Sequence, residues 1–186
     1  MPADKIVKDH GSSMAKTIEH LKSEFRGVRT GRASTGLVEN LKVEYYGTLT
    51  PVSQMASLVA PDATSIVIKP FDPSGIKDIV KAIQASDLGL NPTSDGKTVR
   101  LTIPPLSEER RKQIVQQIKQ MGEKSKVSVR NIRRDANKAL DDEQKNKTIS
   151  EYQRDKGKKD IDGLTKKYVA QIDDVVKAKS AEIMAD

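Results

Sequence analysis

The chain contains no cysteine and no tryptophan, and its 186 residues include only two Phe and four Tyr. The missing cysteine excludes disulfides, thiolate metal sites and cysteine nucleophiles. Because aromatic rings are the usual stacking platforms for unpaired bases, their scarcity argues against base-specific recognition of single-stranded nucleic acid. Any nucleic acid would therefore be bound mainly through its backbone and its shape.

Long apolar stretches are also missing. No segment approaches the roughly 20 apolar residues that a membrane-spanning helix needs, and residues 1–5 lack the apolar core of a signal peptide. We therefore expect a cytoplasmic protein without a membrane partner.

Charge is the most prominent property of the composition. The chain has 33 Lys and Arg against 26 Asp and Glu, which gives a formal net charge of +7. An excess of positive charge favours a polyanionic partner, although a basic protein without a nucleic-acid partner has the same composition. The acidic residues are interspersed with the basic ones, which indicates a folded protein and not a basic tail.

Three segments have apolar or small residues at every third or fourth position, which predicts long helices. They run from Ile6 to Val28, from Ser107 to Ala139 and from Ser150 to Ile183. The two serines are expected N-caps, and a glutamine three residues after Ser150 completes a capping-box pattern. No single helix can bury such a stripe alone, so the three should pack together.

The middle of the chain changes toward the alternating pattern of strands. Strands are expected at 41–46, 65–69 and 99–103, and a short helix between Asp72 and Gly89. The predicted fold class is therefore α+β: a long three-helix bundle with a small α/β domain inserted after the first helix. The bundle would comprise residues 1–30 and 105–186, and the inserted domain residues 31–104.

Two chain crossings would join these domains, and we expect them to act as a hinge. The flexible crossing contains Thr30 and Gly31, and the stiff one contains Pro104 and Pro105. The alternative is that the two prolines only end a strand and set the following helix.

Candidate catalytic and metal-binding residues do not form a site. Gly96, Lys97 and Thr98 match the end of a phosphate-binding loop, but Asn91 stands where the earlier glycine is required and a strand follows where a helix is needed. We expect a hairpin turn there. His10 and His20 point roughly 80° apart on one helix and cannot share a metal ion. The sequence thus predicts no catalytic residues, no metal and no cofactor, and the protein is not expected to be an enzyme.

The remaining candidate site is a basic helix face in the second long helix. Its members point away from Val129, Ile132 and Ala136 and are Lys126, Arg130, Arg133, Arg134 and Asn137. A second basic cluster, Arg29 and Arg32, flanks Gly31. Guanidinium groups one turn apart present forked donors that suit phosphates, so we expect an RNA backbone as the partner. The other interpretation is an ordinary solvated face.

Five ordered segments resemble the bacterial ribosome recycling factor family: residues 29–34 (RTGRAS), 43–47 (VEYYG), 85–92 (ASDLGLNP), 104–112 (PPLSEERRK) and 127–137 (VSVRNIRRDAN). The resemblance covers essentially the whole chain. It implies a factor for ribosome recycling after translation termination in protein biosynthesis. Such a factor binds the post-termination ribosome and, with elongation factor G and GTP hydrolysis, separates its subunits without chemistry on the factor itself.

The resemblance also implies the residues that contact large-subunit rRNA. The family's contacts correspond to Arg29, Arg32, Arg130 and Arg133, and Arg134 and Asn137 lie in the same motif as the last two. The expected partners are this rRNA and elongation factor G, and the protein is expected to be a monomer.

Two other classes of function remain open at this stage. A general RNA-binding or RNA-chaperone protein would use the same arginines without needing two domains. A GTPase acting through residues 96–98 is the third possibility, which nucleotide binding would identify.

Overall fold

The computed structural model describes residues 2–185, and the chain divides into two compact units. The described residues up to Phe25, together with those from Lys112 onward, form the larger unit, and Arg26–Arg111 form the smaller one. The boundaries expected at 30/31 and 104/105 both fall inside the smaller unit. The four residues expected to form a hinge therefore all belong to that unit.

The chain forms five α-helices and six strands within the described residues. In order they are α1 (Pro2–Arg26), β1 (Lys42–Tyr45), β2 (Thr48–Pro51), the single turn α2 (Val52–Met55), β3 (Ala56–Asp62), β4 (Ser65–Pro70), α3 (Ile76–Ala85), β5 (Pro92–Ser94), β6 (Val99–Thr102), α4 (Glu108–Lys145) and α5 (Glu151–Met184). One-turn 3-10 helices lie at Thr35–Leu37 and Pro73–Gly75.

The larger unit is the predicted three-helix bundle. Helix α1 packs at its start against the end of α4, where Ala3 joins Leu140 and Ile149 in one apolar cluster. Glycines bring the helices close elsewhere: Gly11 of α1 faces Leu164 of α5, and Gly122 of α4 faces Val176 of α5. Each helix therefore buries its apolar stripe against the other two.

The buried stripe of α4 differs in detail from the predicted one. The apolar and small positions of the predicted stripe include Met121, Ser125, Ile132 and Ala139, but all four are only half-buried. Gly122 and Leu140 occupy buried positions instead, alongside Val129 and Ala136 on the same helix. The reason is that α4 is covered from two sides, by α1 and α5, so the positions flanking the central stripe are partly covered and partly exposed.

The capping predictions for the long helices are confirmed. The Ser150 hydroxyl accepts a hydrogen bond from the Gln153 amide at 3.2 Å, and the Gln153 side chain accepts one from the Ser150 amide at 2.9 Å. At the start of α4, the Ser107 hydroxyl accepts a hydrogen bond from the Arg110 amide at 3.2 Å. These bonds satisfy amide groups that have no partner within the helix.

The smaller unit has a four-stranded antiparallel sheet in the order β3-β4-β6-β5 and a separate β1-β2 hairpin. The predicted strands are confirmed as β1, β4 and β6, and β2, β3 and β5 were not predicted. Helix α3 packs on the apolar face, where Val99 and Leu101 of β6 are buried while Arg100 between them is exposed. Asp72, where the short helix was expected to begin, accepts a hydrogen bond from the Ser74 amide at 2.9 Å and so caps the 3-10 turn that precedes α3.

Among the residues described, none of the helices combines the length and the apolar character that crossing a membrane requires.

Candidate nucleic-acid interface

The arginines of α4 are available for a ligand. Arg130 and Arg134 are exposed and Arg133 is half-buried. Within the described part of the chain, their guanidinium groups make no hydrogen bond and no ion pair. Since the helix rises about 1.5 Å per residue, Arg130 and Arg134 lie about 6 Å apart along its axis. We call Arg130, Arg133 and Arg134 the arginine face.

Lys126 differs from the arginine face, although the sequence pattern grouped it with these residues. Its Nζ atom lies 2.5 Å from Oδ1 of Asp173 on α5 and 2.9 Å from Oε1 of Glu123. Its side chain is only 14% exposed. Hydrogen bonds to Asp173 first and Glu123 second raise the pKa of the Lys126 ammonium above its usual value. The charge is thus already neutralised within the protein, unlike that of the arginines.

Asn137 is also less accessible than the sequence pattern predicts. The residue is half-buried, and its Oδ1 atom is buried without a hydrogen-bond partner among the described residues. At 100° per residue, Arg133 and Asn137 each lie within about 20° of Lys126 on α4, one on either side of it. The stripe that they form borders α5, because Lys126 contacts Asp173 there. Arg133 is the member of this stripe that carries an unpaired charge.

The second basic cluster, Arg29 and Arg32, lies in the smaller unit. The Nη2 atom of Arg29 donates a hydrogen bond to the Pro104 carbonyl at 3.1 Å. Its Nε atom is buried and has no hydrogen-bond partner in the part of the chain that is described. Arg32 is exposed. That these two arginines bind the same RNA as the arginine face stays a prediction.

The residues expected to form a hinge come together inside the smaller unit. Thr30 is buried, and Gly31 has a φ angle of +83°, which favours glycine. The Leu106 side chain lies beside Gly31, and Arg29 is bonded to Pro104. Pro104 and Pro105 are themselves exposed. These contacts join the two chain segments to each other, and their movement as a hinge stays a prediction.

The segment that resembled a phosphate-binding loop is the predicted hairpin turn. Oδ1 of Asp95 accepts hydrogen bonds from the amides of Lys97 at 2.9 Å and Thr98 at 2.7 Å. These bonds lower the pKa of the Asp95 carboxyl. Gly96 has a φ angle of +85°, and the turn joins β5 to β6. Its amides are used by the chain itself and lead into a strand, so the prediction of a turn is confirmed.

The two histidines are separate features of α1. His10 is half-buried with Nδ1 2.8 Å from the Ile6 carbonyl oxygen, and His20 is exposed with Nε2 3.9 Å from Glu24. No group of three or more His, Cys, Asp or Glu residues suited to a metal ion was found among residues 2–185.

Sequence reasoning missed the ion pairs that connect α4 and α5. One is the pair of Lys126 with Asp173. In the other, Oδ1 of Asp141 on α4 lies 2.7 Å from Nζ of Lys158 on α5. The hydrogen bond from Lys158 lowers the pKa of the Asp141 carboxyl. The sequence contains oppositely charged residues at matching intervals on the two helices. Which of them pair can be assigned only once the register of the antiparallel helices is known.

Comparison with known proteins gives consistent matches over most of the chain. The family model described as ribosome recycling factor matches residues 21–184. A ribosome-recycling factor of Nitratidesulfovibrio vulgaris (strain DP4) is 48% identical over 184 residues, which is 99% of each chain. One from Cutibacterium acnes (strain DSM 16379 / KPA171202) is 43% identical over 179 residues, or 96% of this chain and 97% of that one.

Solved structures agree with these matches. The solution structure of a ribosome recycling factor has a TM-score of 0.78 and 38% identity, covering 100% of this chain and 99% of the other. A structure of the T. thermophilus ribosome recycling factor, in a set with E. coli elongation factor G bound to the E. coli post-termination complex, has a TM-score of 0.67 and 38% identity over the full length of both chains. The similarity in sequence and in structure extends over nearly every residue, and the chain belongs to the ribosome recycling factor family.

Proposed function

We propose that the protein binds the post-termination ribosome through large-subunit rRNA and, with elongation factor G and GTP, splits the ribosome into its subunits. Membership of the family supports this function. The structure of the related T. thermophilus factor is described together with elongation factor G and the post-termination complex. The chain itself would act as a cytoplasmic monomer without catalytic chemistry, and GTP hydrolysis would belong to the elongation factor.

The arginine face is the observation that carries the rRNA part of this proposal. Each guanidinium has five N–H donors in a planar fork that fits two phosphate oxygens, and it stays charged at any physiological pH. None of these three groups is neutralised within the described residues. A rigid helix of 38 residues holds them, so little conformational entropy of the backbone is lost on binding.

Arg29 and Arg32 are proposed as a second rRNA contact, and Thr30, Gly31, Pro104 and Pro105 as part of the joint. Arg29 is oriented by its bond to Pro104, which ties the position of this cluster to that of the proline segment. A movement of the smaller unit, driven by elongation factor G, would therefore carry Arg29 with it. Lys126 and Asn137 are not proposed as primary phosphate ligands, because one is paired and the other is partly covered.

The test is Arg133→Ala, measured by co-sedimentation with large ribosomal subunits. Loss of a charge-assisted contact of about 1 to 3 kcal/mol should lower the affinity about 5- to 150-fold. Its matched control is Arg100→Ala, because Arg100 is an exposed arginine on β6, outside both basic clusters. Ribosome splitting, followed by light scattering with elongation factor G and GTP, should decline in parallel for Arg133→Ala alone.

Two outcomes would contradict the proposal. An unchanged affinity of Arg133→Ala removes the arginine face from the interface. Equal affinity of the unaltered protein for unrelated structured RNA, with no effect of elongation factor G, would instead indicate a general RNA-binding protein. Whether the protein binds rRNA specifically or RNA in general, the logarithm of its affinity should fall linearly with the logarithm of the salt concentration, because phosphate contacts release counterions.

A further inference from the structure

Two ion pairs join α4 to α5 with opposite polarity. In one, Lys126 of α4 pairs with Asp173 of α5 at 2.5 Å. In the other, Asp141 of α4 pairs with Lys158 of α5 at 2.7 Å. The two partners on α4 are fifteen positions apart, and so are the two on α5 in the opposite direction. Both pairs therefore satisfy a single antiparallel register.

The arginine face lies between these two pairs. Arg133 stands in the stripe of α4 that borders α5, seven residues after Lys126 and eight before Asp141. Near each pair a glycine allows the helices to approach: Gly122 contacts Val176, and Gly157 contacts Leu140. The register that the two pairs define thus determines which residues of α5 lie beside Arg133.

The charges disfavour a shifted register. If α5 moved by four residues in one direction, Lys177 would stand opposite Lys126 and Asp162 opposite Asp141, so both pairs would join like charges. If it moved four residues in the other direction, Val169 would stand opposite Lys126, which would leave the ammonium without its partner on α5, while Arg154 would stand opposite Asp141 and keep a pair there. The charges therefore oppose the first shift at both ends and the second shift at the Lys126 end, as charged flanking positions do in coiled coils.

We infer that Lys126 is a positioning residue: together with Asp173 and the Asp141–Lys158 pair, it holds α4 and α5 in the register that presents Arg133 to RNA. This inference rests on the proposed function of the arginine face. Lys126 acts through the helix packing and does not itself contact a phosphate. Its side chain is 14% exposed and its ammonium contacts two carboxylates, so it holds its place more firmly than an ordinary exposed ion pair.

The experiment compares three variants. Lys126→Met removes the charge, and the charge swap Lys126→Asp with Asp173→Lys restores an ion pair of reversed polarity at unchanged net charge. Lys22→Met is the matched control, because the Lys22 ion pair with Glu19 lies within α1 and joins no second helix. Each variant is measured for affinity to large subunits, for the slope of affinity against salt, and for the distance between α4 and α5.

The distance is measured between two spin labels. The chain has no cysteine, so cysteines introduced at Gln120 of α4 and Ala178 of α5 carry the labels at exposed positions on facing helices. For Lys126→Met we expect about a two- to fivefold loss of affinity, the size of one ion pair, with the salt slope unchanged and a broader distance distribution. The swap should recover part of the affinity and of the narrow distribution, because Glu123 stays beside position 126 and repels the new carboxylate there, and Lys22→Met should match the unaltered protein.

Other results would overturn the inference. If Lys126→Met lowers the salt slope by about one contact, and the swap does not restore affinity, Lys126 is an RNA ligand. If the distance distribution stays unchanged in Lys126→Met, the ion pair does not set the register. A failure of the proposed function is recognised separately, because then Arg133→Ala has no effect on binding while the label distances still report on the register.

Discussion

Gly122 marks the place where α4 and α5 approach too closely for any side chain. The residue is buried, and a Cβ atom built on it would lie 2.5 Å from Cγ2 of Val176, where ordinary contacts begin at 3.4 Å. A valine in a helix has one strongly preferred rotamer, so its methyl group cannot easily turn away. We predict that Gly122→Ala destabilises the bundle, although alanine is the better helix former.

The magnitude follows from two opposing terms. Replacing glycine by alanine inside a helix stabilises it by about 1 kcal/mol, and inserting a methyl group into a packed interface costs about 1 to 3 kcal/mol. Because an overlap of this size requires the helices to move apart, we place the cost near the upper end. The free energy of unfolding should fall by about 1 to 2 kcal/mol, which corresponds to a loss of several degrees in Tm.

Gly163 provides the matched control for this prediction. It lies in the middle of α5, is exposed, and a Cβ atom there would meet nothing within 4 Å. Gly163→Ala has the same gain in helix propensity without the overlap, so it should stabilise by about 0.5 to 1 kcal/mol. Urea denaturation followed by circular dichroism measures both variants.

The free energy of unfolding should fall for Gly122→Ala and rise for Gly163→Ala. Equal stabilisation of both variants would show that α4 and α5 do not touch at Gly122. A double variant, Gly122→Ala with Val176→Ala, removes the methyl group that causes the overlap. Its free energy of unfolding should fall by less than the sum of the losses in the two single variants. A double-mutant cycle measures this difference.

Two further predictions concern the core and a turn. Val129→Asp should unfold the bundle, because Val129 is fully buried, whereas Ile132→Asp should leave a cooperative melting transition by circular dichroism; similar loss of structure in both would contradict the facing of α4. The Asp62 carboxylate accepts hydrogen bonds from Ser65 and Thr64, which lower its pKa to about 2 from the usual 3.8. Since the folded-state pKa is the lower one, this stabilisation is complete above about pH 4 and is lost as the pH falls toward 2. A carboxyl titration by NMR with a midpoint near 3.8 would contradict it.

The long helices could be predicted from the sequence, because a stripe that repeats over many turns leaves little doubt about its period. All three missed strands contain proline: β2 ends at Pro51, β3 includes Pro61, and β5 begins at Pro92. Proline is depleted in strands because it cannot donate a ladder hydrogen bond. Strands β3 and β5 lie at the two edges of the four-stranded sheet, and β2 belongs to the two-stranded hairpin, so each has an edge where that loss is tolerated. Their assignment needed the strand order, which no local pattern contains.

The basic helix face could be predicted only as a group. A helical projection places Lys126 and Arg133 within about 20° of each other, so periodicity gives them the same role. Their difference comes from Asp173, which lies on another helix and pairs with one of them only. Distinguishing a paired cation from an available one therefore required the register of α4 and α5, which is a property of tertiary packing.

The unpaired charges of the arginine face should also be visible in the stability of the free protein. Arg130 has Arg133 three residues and Arg134 four residues further along α4, and like charges at these spacings destabilise a helix by about 0.2 to 0.5 kcal/mol per pair. Because Arg130 is exposed, Arg130→Ala removes both repulsions with little loss of packing. Chemical denaturation should therefore show an equal or slightly higher free energy of unfolding, while co-sedimentation shows weaker binding to large subunits. If Arg130 served only for solvation, its replacement would change neither the free energy of unfolding nor the affinity much. If it served for stability, the free energy of unfolding would fall. Opposite signs in the two measurements would thus identify a face kept for binding at the expense of stability, and unchanged binding would refute that explanation.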